Sequence, residues 1–290
     1  MKVDKFRTVI IYIIIILLGL VCLLPLLNIV AISFSSSAAV EGNMVGLIPV
    51  GFSTAAYEKI LEDSQFWHSF LISVERVVLT LIINFVLIVL MAYPLSKTNA
   101  QFRGRNIYAN LMIFAMLFNG GMIPTFLLVK SYGLLNTVWA LVLPGAVPIF
   151  NVILVMNFFA AVPKELEEAA FIDGANPLQV LTKIFIPISK PVLATVSLFS
   201  IVGSWNDFYS GLIYMSKAAY YPLMTYIQSL QINVEDLIKQ GNLSAVVDSA
   251  SLGNTNLNAA KIVVAVIPLL LIYPLLQRYF VSGIVVGSVK

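Results

Sequence analysis

Long apolar segments separated by polar stretches constrain this chain more than any other feature of its sequence. The first runs from about Thr8 to Ile32 and is almost unbroken, with Pro25 inside it. A bilayer core about 30 Å thick takes roughly 20 apolar residues per helical span, and helices satisfy their own backbone hydrogen bonds in lipid. The further segments of this kind are residues 70–95, 107–129, 138–160, 191–215 and 262–280. The sequence therefore predicts an all-α membrane protein with about six transmembrane helices.

The composition agrees with a membrane domain and excludes several other classes. Of the 290 residues, 60% are hydrophobic and 11% are charged, and a net charge of +3 is too small to favour nucleic acid as a partner. No small-residue cleavage site follows the first apolar run, so we expect an uncleaved helix there. The single cysteine, Cys22, cannot form an internal disulfide. The single histidine, His68, has no second ligand nearby in the sequence, so no metal site is predicted.

Residues 163–190 are the longest polar-rich interruption that still carries helix signals. Pro163 followed by acidic residues favours a first helical turn, because the free N–H groups there carry partial positive charge. Gly174 is expected to end this helix, Asn176 to cap a second one, and Pro187 to close it. The second helix is predicted to present one apolar face, formed by Leu178, Leu181, Phe185 and Ile188. The segment is therefore a helix–turn–helix elbow outside the lipid.

This elbow resembles the EAA loop in permease subunits of binding-protein-dependent ABC importers. The family pattern is EAA, three residues, glycine, nine residues, isoleucine, one residue, leucine and proline. Ile186 stands in the leucine position, a volume-conserving replacement. The resemblance implies the fold of a type I importer permease, with the elbow as the coupling helix that contacts an ATPase. The residues assigned to this role are Glu168, Ala169, Ala170, Asp173, Gly174, Ile184 and Pro187.

The resemblance also implies a set of partners. No GxxxxGK[ST] phosphate loop occurs in the sequence, so we expect ATP and Mg²⁺ to bind to separate ATPase subunits. We expect no catalytic residue and no cofactor in this chain. The implied partners are a second homologous permease, two ATPase subunits, an extracellular solute-binding protein and membrane lipid. Glu168 is expected to pair with a basic group of the ATPase, whereas for Glu165 solvation of the helix end is the preferred interpretation.

The distribution of lysine and arginine predicts the orientation. With the elbow in the cytoplasm, eleven of the 17 basic residues lie on that side, five lie outside, and Arg76 lies within a span. The cytoplasmic set is Lys2, Lys5, Arg7, Lys97, Arg103, Arg105, Lys164, Lys183, Lys190, Arg278 and Lys290. We therefore expect a multi-pass protein of the plasma or inner membrane with both termini in the cytoplasm.

The fifth apolar segment contains polar residues and glycines at helical spacing. They are Ser200, Gly203, Ser204, Asp207, Ser210 and Gly211. Polar groups inside lipid are expensive and usually face a bundle interior or a water-filled cavity, so we interpret this stripe as a translocation surface. Trp205, Asn206 and Asp207 also resemble the same span of carbohydrate permeases, which implies a sugar or oligosaccharide as solute, with the indole stacking on a pyranose. The alternative is helix packing through small residues and interhelical hydrogen bonds.

Other polar positions carry weaker predictions. Asn84 and Asn119 are added to the solute pathway, and Asn151 is a possible member, although interhelical hydrogen bonds would explain all three. Residues 119–124 contain glycines and a proline and should break or kink the third span. The pair Glu75-Arg76 is interpreted as snorkelling or a local ion pair. The outer loop, residues 216–261, either contacts the binding protein or is a solvated linker.

Residues 1–69 are predicted to form a first helix and outer loop, residues 70–280 the transporter core, and residues 281–290 a cytoplasmic tail. Two alternative functions stay open. One is an ABC permease for a solute other than sugar. The other is an ion-coupled secondary transporter with Asp207 and Glu75 as proton carriers, which would leave the elbow unexplained.

Overall fold

A computed structural model describes residues 5–118, 120–230 and 255–283, and every regular element within these ranges is a helix. The helices are α1 (Lys5–Ser33), α2 (Ser37–Glu41), α3 (Ala55–Glu62), α4 (Ser64–Leu95), α5 (Arg105–Leu117), α6 (Met122–Ser131), α7 (Val138–Val142), α8 (Ile149–Ala160), α9 (Lys164–Ile172), α10 (Pro177–Val180), α11 (Ile186–Ile188), α12 (Lys190–Asn206), α13 (Tyr209–Tyr214) and α14 (Thr255–Gly283). Residues 223–230 are also helical. The predicted all-α class is confirmed.

Candidate membrane spans number three to six within the described ranges. Helices α1, α4 and α14 are each long and apolar enough to cross a bilayer on their own. Three bent helix pairs complete the six if each pair is one span: α5 with α6, α7 with α8, and residues 177–188 with α12. The predicted number of about six therefore agrees with the structure. Helices α4 and α14 begin six and seven residues earlier than predicted, and α12 ends at Asn206, nine residues before the predicted end of the fifth span.

Three of the predicted spans are broken: the third, the fourth and the fifth. The break in the third span is expected from the sequence, and it lies between Leu117 and Met122, where Gly121 has a φ of +89° that favours glycine. The fourth span is predicted as continuous, but α7 and α8 meet at a bend of 47°. Pro144 and Pro148 lie in this bend and cannot donate backbone hydrogen bonds. Proline therefore explains the bend that the apolar pattern does not reveal.

The fifth span corrects the prediction of one continuous polar stripe. Helix α12 ends at Asn206, Asp207 is extended with φ −75° and ψ 103°, and a new helix begins at Tyr209. The Oδ1 atom of Asp207 accepts a hydrogen bond of 3.1 Å from the backbone N–H of Ser210, as a capping residue does. Ser210 and Gly211 therefore belong to α13, and the helical spacing counted across Asp207 does not apply to them.

The chain divides into two compact units, and the first combines residues up to Trp67 with Tyr226–Ile267. In this unit Asp63 Oδ2 lies 2.8 Å from Lys261 Nζ and accepts a hydrogen bond of 2.9 Å from the Tyr226 hydroxyl. Burial raises the pKa of Asp63, but its hydrogen bonds with Lys261, Phe66 and Tyr226 outweigh this, so the pKa lies below its ordinary value. This cluster fixes residues 226–230 to the start of α4. Thr255–Asn258, predicted as part of the outer loop, are helical.

The second unit, His68–Thr225 with the residues from Pro268, contains an extended apolar core. Side chains from α4, α5, α8, α12 and the elbow pack together there. The elbow contributes Val180, Leu181 and Phe185, which are 0%, 4% and 2% exposed. Leu178 and Ile188 are predicted on the same face but are 62% and 43% exposed. The middle of the predicted face therefore packs on the core of the second unit, and its two ends are exposed in this subunit.

The second elbow helix also continues past Pro187, which is predicted to close it. Residues Leu181–Phe185 form a π-helical turn between α10 and α11, and α11 ends at Ile188. Proline clashes with the carbonyl four residues before it and lacks an N–H, so a wider turn just upstream accommodates the ring. A bend of 84° then separates this helix from α12.

Candidate functional site

The elbow has the local geometry that its sequence predicts. Helix α9 follows Pro163 and ends at Ile172, and Gly174 adopts a φ of +80° beyond it. Asn176 begins α10 with a capping box: its Oδ1 accepts from Gln179 N at 2.9 Å, and Gln179 Oε1 accepts from Asn176 N at 3.0 Å. Caps at both sides of a short turn hold the two helices at a defined angle.

One surface of the elbow is exposed and partly apolar. Glu168 and Ala169 are exposed, whereas Ala170 and Ile184 are partly buried and pack against the core of the second unit. The large exposed apolar side chains, with their exposed fractions, are Leu166 (43%), Phe171 (44%), Ile172 (87%) and Leu178 (62%). Exposed apolar groups next to a carboxylate are typical of a surface that contacts a partner.

The opposite surface of α9 carries a buried ion pair that sequence reasoning missed. The sequence pattern groups Glu167 with the acids that solvate the helix end, but it is 8% exposed. Its two carboxylate oxygens each lie 2.7 Å from Lys97 Nζ, in the segment after α4. The distribution of basic residues predicts that Lys97 and α9 lie on the same, cytoplasmic side of the membrane. This shared side and the opposite charges are the sequence signal from which the pair could be predicted.

A polar cavity of about 230 Å³ lies within the second unit. Arg76, Thr80 and Asn84 line it from successive turns of α4. The other polar lining residues are Asn151, Ser200, Ser204 and Asp207. The stripe positions Ser200, Gly203, Ser204 and Asp207 therefore share a cavity with Asn84 and Asn151.

Arg76 is the partner of Asp207 in this cavity. Its Nη2 lies 2.5 Å from Asp207 Oδ2, and its Nη1 donates a 3.0 Å hydrogen bond to the Asp207 carbonyl. The arginine side chain is 5% exposed and the aspartate side chain 26%. From the sequence, Arg76 is expected to snorkel to the membrane surface or to form a local ion pair with Glu75. In the structure its partner is Asp207, so the ion pair joins α4 to the end of α12. Arg76 Nε and Thr80 Oγ1 are buried without a hydrogen-bond partner in the described structure.

Asn84 links three elements at the cavity wall. With its amide nitrogen directed at the carbonyls of Gly145 and Ala146, at 3.2 and 3.0 Å, its oxygen accepts from Ser200 Oγ at 3.1 Å. The Ser204 hydroxyl donates to the Ser200 carbonyl at 2.7 Å. These hydrogen bonds are the interhelical and local contacts that the packing alternative requires.

The remaining predicted pathway residues lie in different surroundings. Trp205 is 4% exposed and packs edge-on against Phe70, with ring centroids 5.6 Å apart. Asn206 is exposed, and neither residue lines the polar cavity. Asn119 lies outside the described residues. The stacking of Trp205 on a sugar stays a prediction.

Comparison with known proteins identifies the family. A model described as "Binding-protein-dependent transport system inner membrane component" matches residues 2–286. The chain belongs to this family. It is thus a permease subunit of an ABC importer and an inner membrane component of a transport system.

Individual relatives of the permease cover nearly its whole length. Protein LplC of Bacillus subtilis is 40% identical over 272 residues, which are 94% of this chain and 90% of that protein. The polygalacturonan/rhamnogalacturonan transport system permease protein YtcP of Bacillus subtilis is 39% identical over 287 residues, 99% of both chains. A chain in the crystal structure of a bacterial ABC transporter that imports the acidic polysaccharide alginate is 32% identical, with a TM-score of 0.84, over 97% of this chain and 98% of that one. The permease therefore has the type I importer fold that the elbow implied.

Proposed function

We propose that this permease carries a carbohydrate, delivered by an extracellular solute-binding protein, into the cell in an ATP-driven importer. The observation that carries the proposal is the near full-length similarity to YtcP, named for polygalacturonan and rhamnogalacturonan transport, and to a subunit of an alginate importer. The substrates of these relatives share sugar rings with many hydroxyl groups. A polar cavity with both donors and acceptors suits such a solute.

The motor of this importer is a separate pair of ATPase subunits, which hold ATP and Mg²⁺. The exposed side of α9 supports this assignment, because Glu168 and Ala169 lie there beside the apolar side chains of Phe171 and Ile172. A second permease subunit completes the membrane channel. Both termini and the elbow face the cytoplasm, as the distribution of basic residues predicts.

The solute path in this subunit runs along the polar cavity between α4 and α12. Asn84, Ser204 and Asp207 line it and offer donors and acceptors to solute hydroxyls. Asn206, Trp205 and Asn119 join the path in another state of the transport cycle. The pairing of Asp207 with Arg76 disfavours a proton-coupled transporter, since a carboxylate held by a guanidinium is a poor proton carrier.

A solute panel tests this proposal. The complex is purified with its binding protein in nanodiscs, and ATP hydrolysis is measured with neutral oligosaccharides, uronate oligosaccharides and amino acids. We expect carbohydrate to raise the rate by at least about fivefold, the lower end of typical allosteric couplings. If only amino acids raise the rate of ATP hydrolysis, the solute is not a carbohydrate and this part of the proposal is wrong. Uptake by this chain alone in vesicles would contradict the ATP-driven mechanism itself.

A further inference from the structure

Glu167 is the attachment point of helix α9. Within α9, all of which the structure describes, Glu167 is the single buried residue. A helix of this kind usually packs through an apolar stripe. Here Ala170, which is partly buried, packs against the core of the second unit, and the buried side chain of α9 is Glu167, in its ion pair with Lys97. The two side chains are 12% exposed for Lys97 and 11% for Glu167, so water screens the pair far less than it screens surface pairs.

Aromatic rings enclose the lysine of this pair. Lys97 Nζ lies 4.1 Å from the ring centroid of Tyr93 and 4.2 Å from that of Phe185, distances at which cations are attracted to ring faces. The Tyr93 hydroxyl donates a 3.3 Å hydrogen bond to Glu167 Oε1. Burial lowers the pKa of Lys97, and the hydrogen bond to Glu167 opposes this shift. The cluster therefore joins the end of α4, helix α9 and the second elbow helix.

Motion of α9 needs a connection to the membrane helices. The links along the chain are Ala161–Pro163 on one side and Asp173–Asn176 on the other, and both are non-helical. These links join α9 to α8 and to α10, and neither leads to α4. The Lys97–Glu167 pair is the buried contact that connects α9 directly to the end of α4, whose earlier turns line the polar cavity.

We propose that Glu167 and Lys97 are positioning residues that clamp the coupling helix to α4, so that movement of the ATPase is transmitted to the cavity-lining span. This inference rests on the proposed docking of a separate ATPase on the exposed side of α9. The clamp acts through α9 and touches neither ATP nor solute.

Four variants test the clamp in the intact complex with its binding protein and ATPase: Glu167→Gln, Lys97→Met, the double variant of both, and Glu165→Gln as control. Glu165 is an exposed acid of the same helix. Its substitution by glutamine removes one negative charge, as Glu167→Gln does, but leaves the Lys97–Glu167 pair intact. The readouts are solute transported per ATP hydrolysed in proteoliposomes and the thermal midpoint of the complex.

We expect each single variant to lower the transport-to-hydrolysis ratio by at least about fivefold and to lower the thermal midpoint, since it leaves a buried charge unpaired. The double variant should regain thermal stability, because neither charge remains, while the ratio stays low. If the double variant recovers both the thermal midpoint and the transport-to-hydrolysis ratio, the pair only stabilises the fold, and the inference is wrong. A ratio for Glu167→Gln equal to that of Glu165→Gln would overturn it as well. If the wild-type complex shows no solute-stimulated hydrolysis, the proposed function fails instead.

Discussion

Substitution Glu168→Lys is expected to reduce ATP-driven uptake by at least about tenfold while the protein still inserts in the membrane. Glu168 is exposed on α9, so folding of this chain does not depend on it. If it faces a basic group of the ATPase, reversal of its charge places like charges together, which costs several kcal/mol, and about 1.4 kcal/mol corresponds to a factor of ten. The measurement is solute uptake together with the amount of ATPase that co-purifies.

The matched control for this substitution is Glu165→Lys. It makes the same change in charge three residues earlier in α9, on a side chain that is also exposed and that we assign to solvation of the helix end. We expect it to retain most uptake. Normal ATPase retention and uptake in the Glu168→Lys variant would contradict the assignment of Glu168 to the ATPase interface.

Substitution Asp207→Ala is expected to abolish most uptake and to destabilise the permease by about 3 kcal/mol, the lower end of the range for buried pairs that lose one partner. The reason is that the Arg76 side chain, 5% exposed, would keep its charge without a carboxylate. Uptake in proteoliposomes and the thermal midpoint are measured on the same preparations.

The double variant Arg76→Met/Asp207→Asn separates solute contact from packing. Both charges are gone in it, so stability should largely return, and no charged group remains at either position to contact the solute. We expect uptake to stay low if the cavity between α4 and α12 binds solute. Uptake that returns together with stability would assign the pair to helix packing.

The structural features that the sequence predicts correctly are those determined by residues close together in the chain. A cap, a glycine beyond a helix end and an apolar run of sufficient length are each complete within a few residues of sequence. The φ of Gly174 and the capping box of Asn176 and Gln179 followed from the residue types alone. The positions of α1 and of the elbow were therefore close to correct.

The features missed depend on residues far apart in the chain. Arg76 and Asp207 are separated by 131 positions, and Lys97 and Glu167 by 70. Periodicity places each residue on a face of its own helix but says nothing about which face of another helix it meets. The burial of Trp205 against Phe70 was missed for the same reason. Opposite charges within spans, or on the same side of the membrane, were the usable signal for both pairs.

The end of α12 shows a second limit. Counting at helical spacing assumes that the helix continues, whereas Asp207 leaves the helix and caps α13 through Ser210. An aspartate can bond nearby backbone N–H groups in non-helical conformations. Ser200, Gly203 and Ser204 lie before this break, and they line the cavity together with Asp207, as predicted.

Site-directed crosslinking shows whether the elbow lies in the cytoplasm and contacts a separate ATPase. The single Cys22 is exposed in α1, so a Cys22→Ser background removes the native thiol. A thiol-linked photocrosslinker is then attached through Ile172→Cys, on an α9 side chain that is 87% exposed. Lys217→Cys, at an exposed position on the predicted outer side, is the control. We expect the crosslinker at position 172 to capture a subunit whose peptides contain a phosphate loop. The crosslinker at position 217 should not capture this subunit. Capture of the extracellular binding protein at position 172, or of no nucleotide-binding subunit in a complex that still transports, would contradict this expectation.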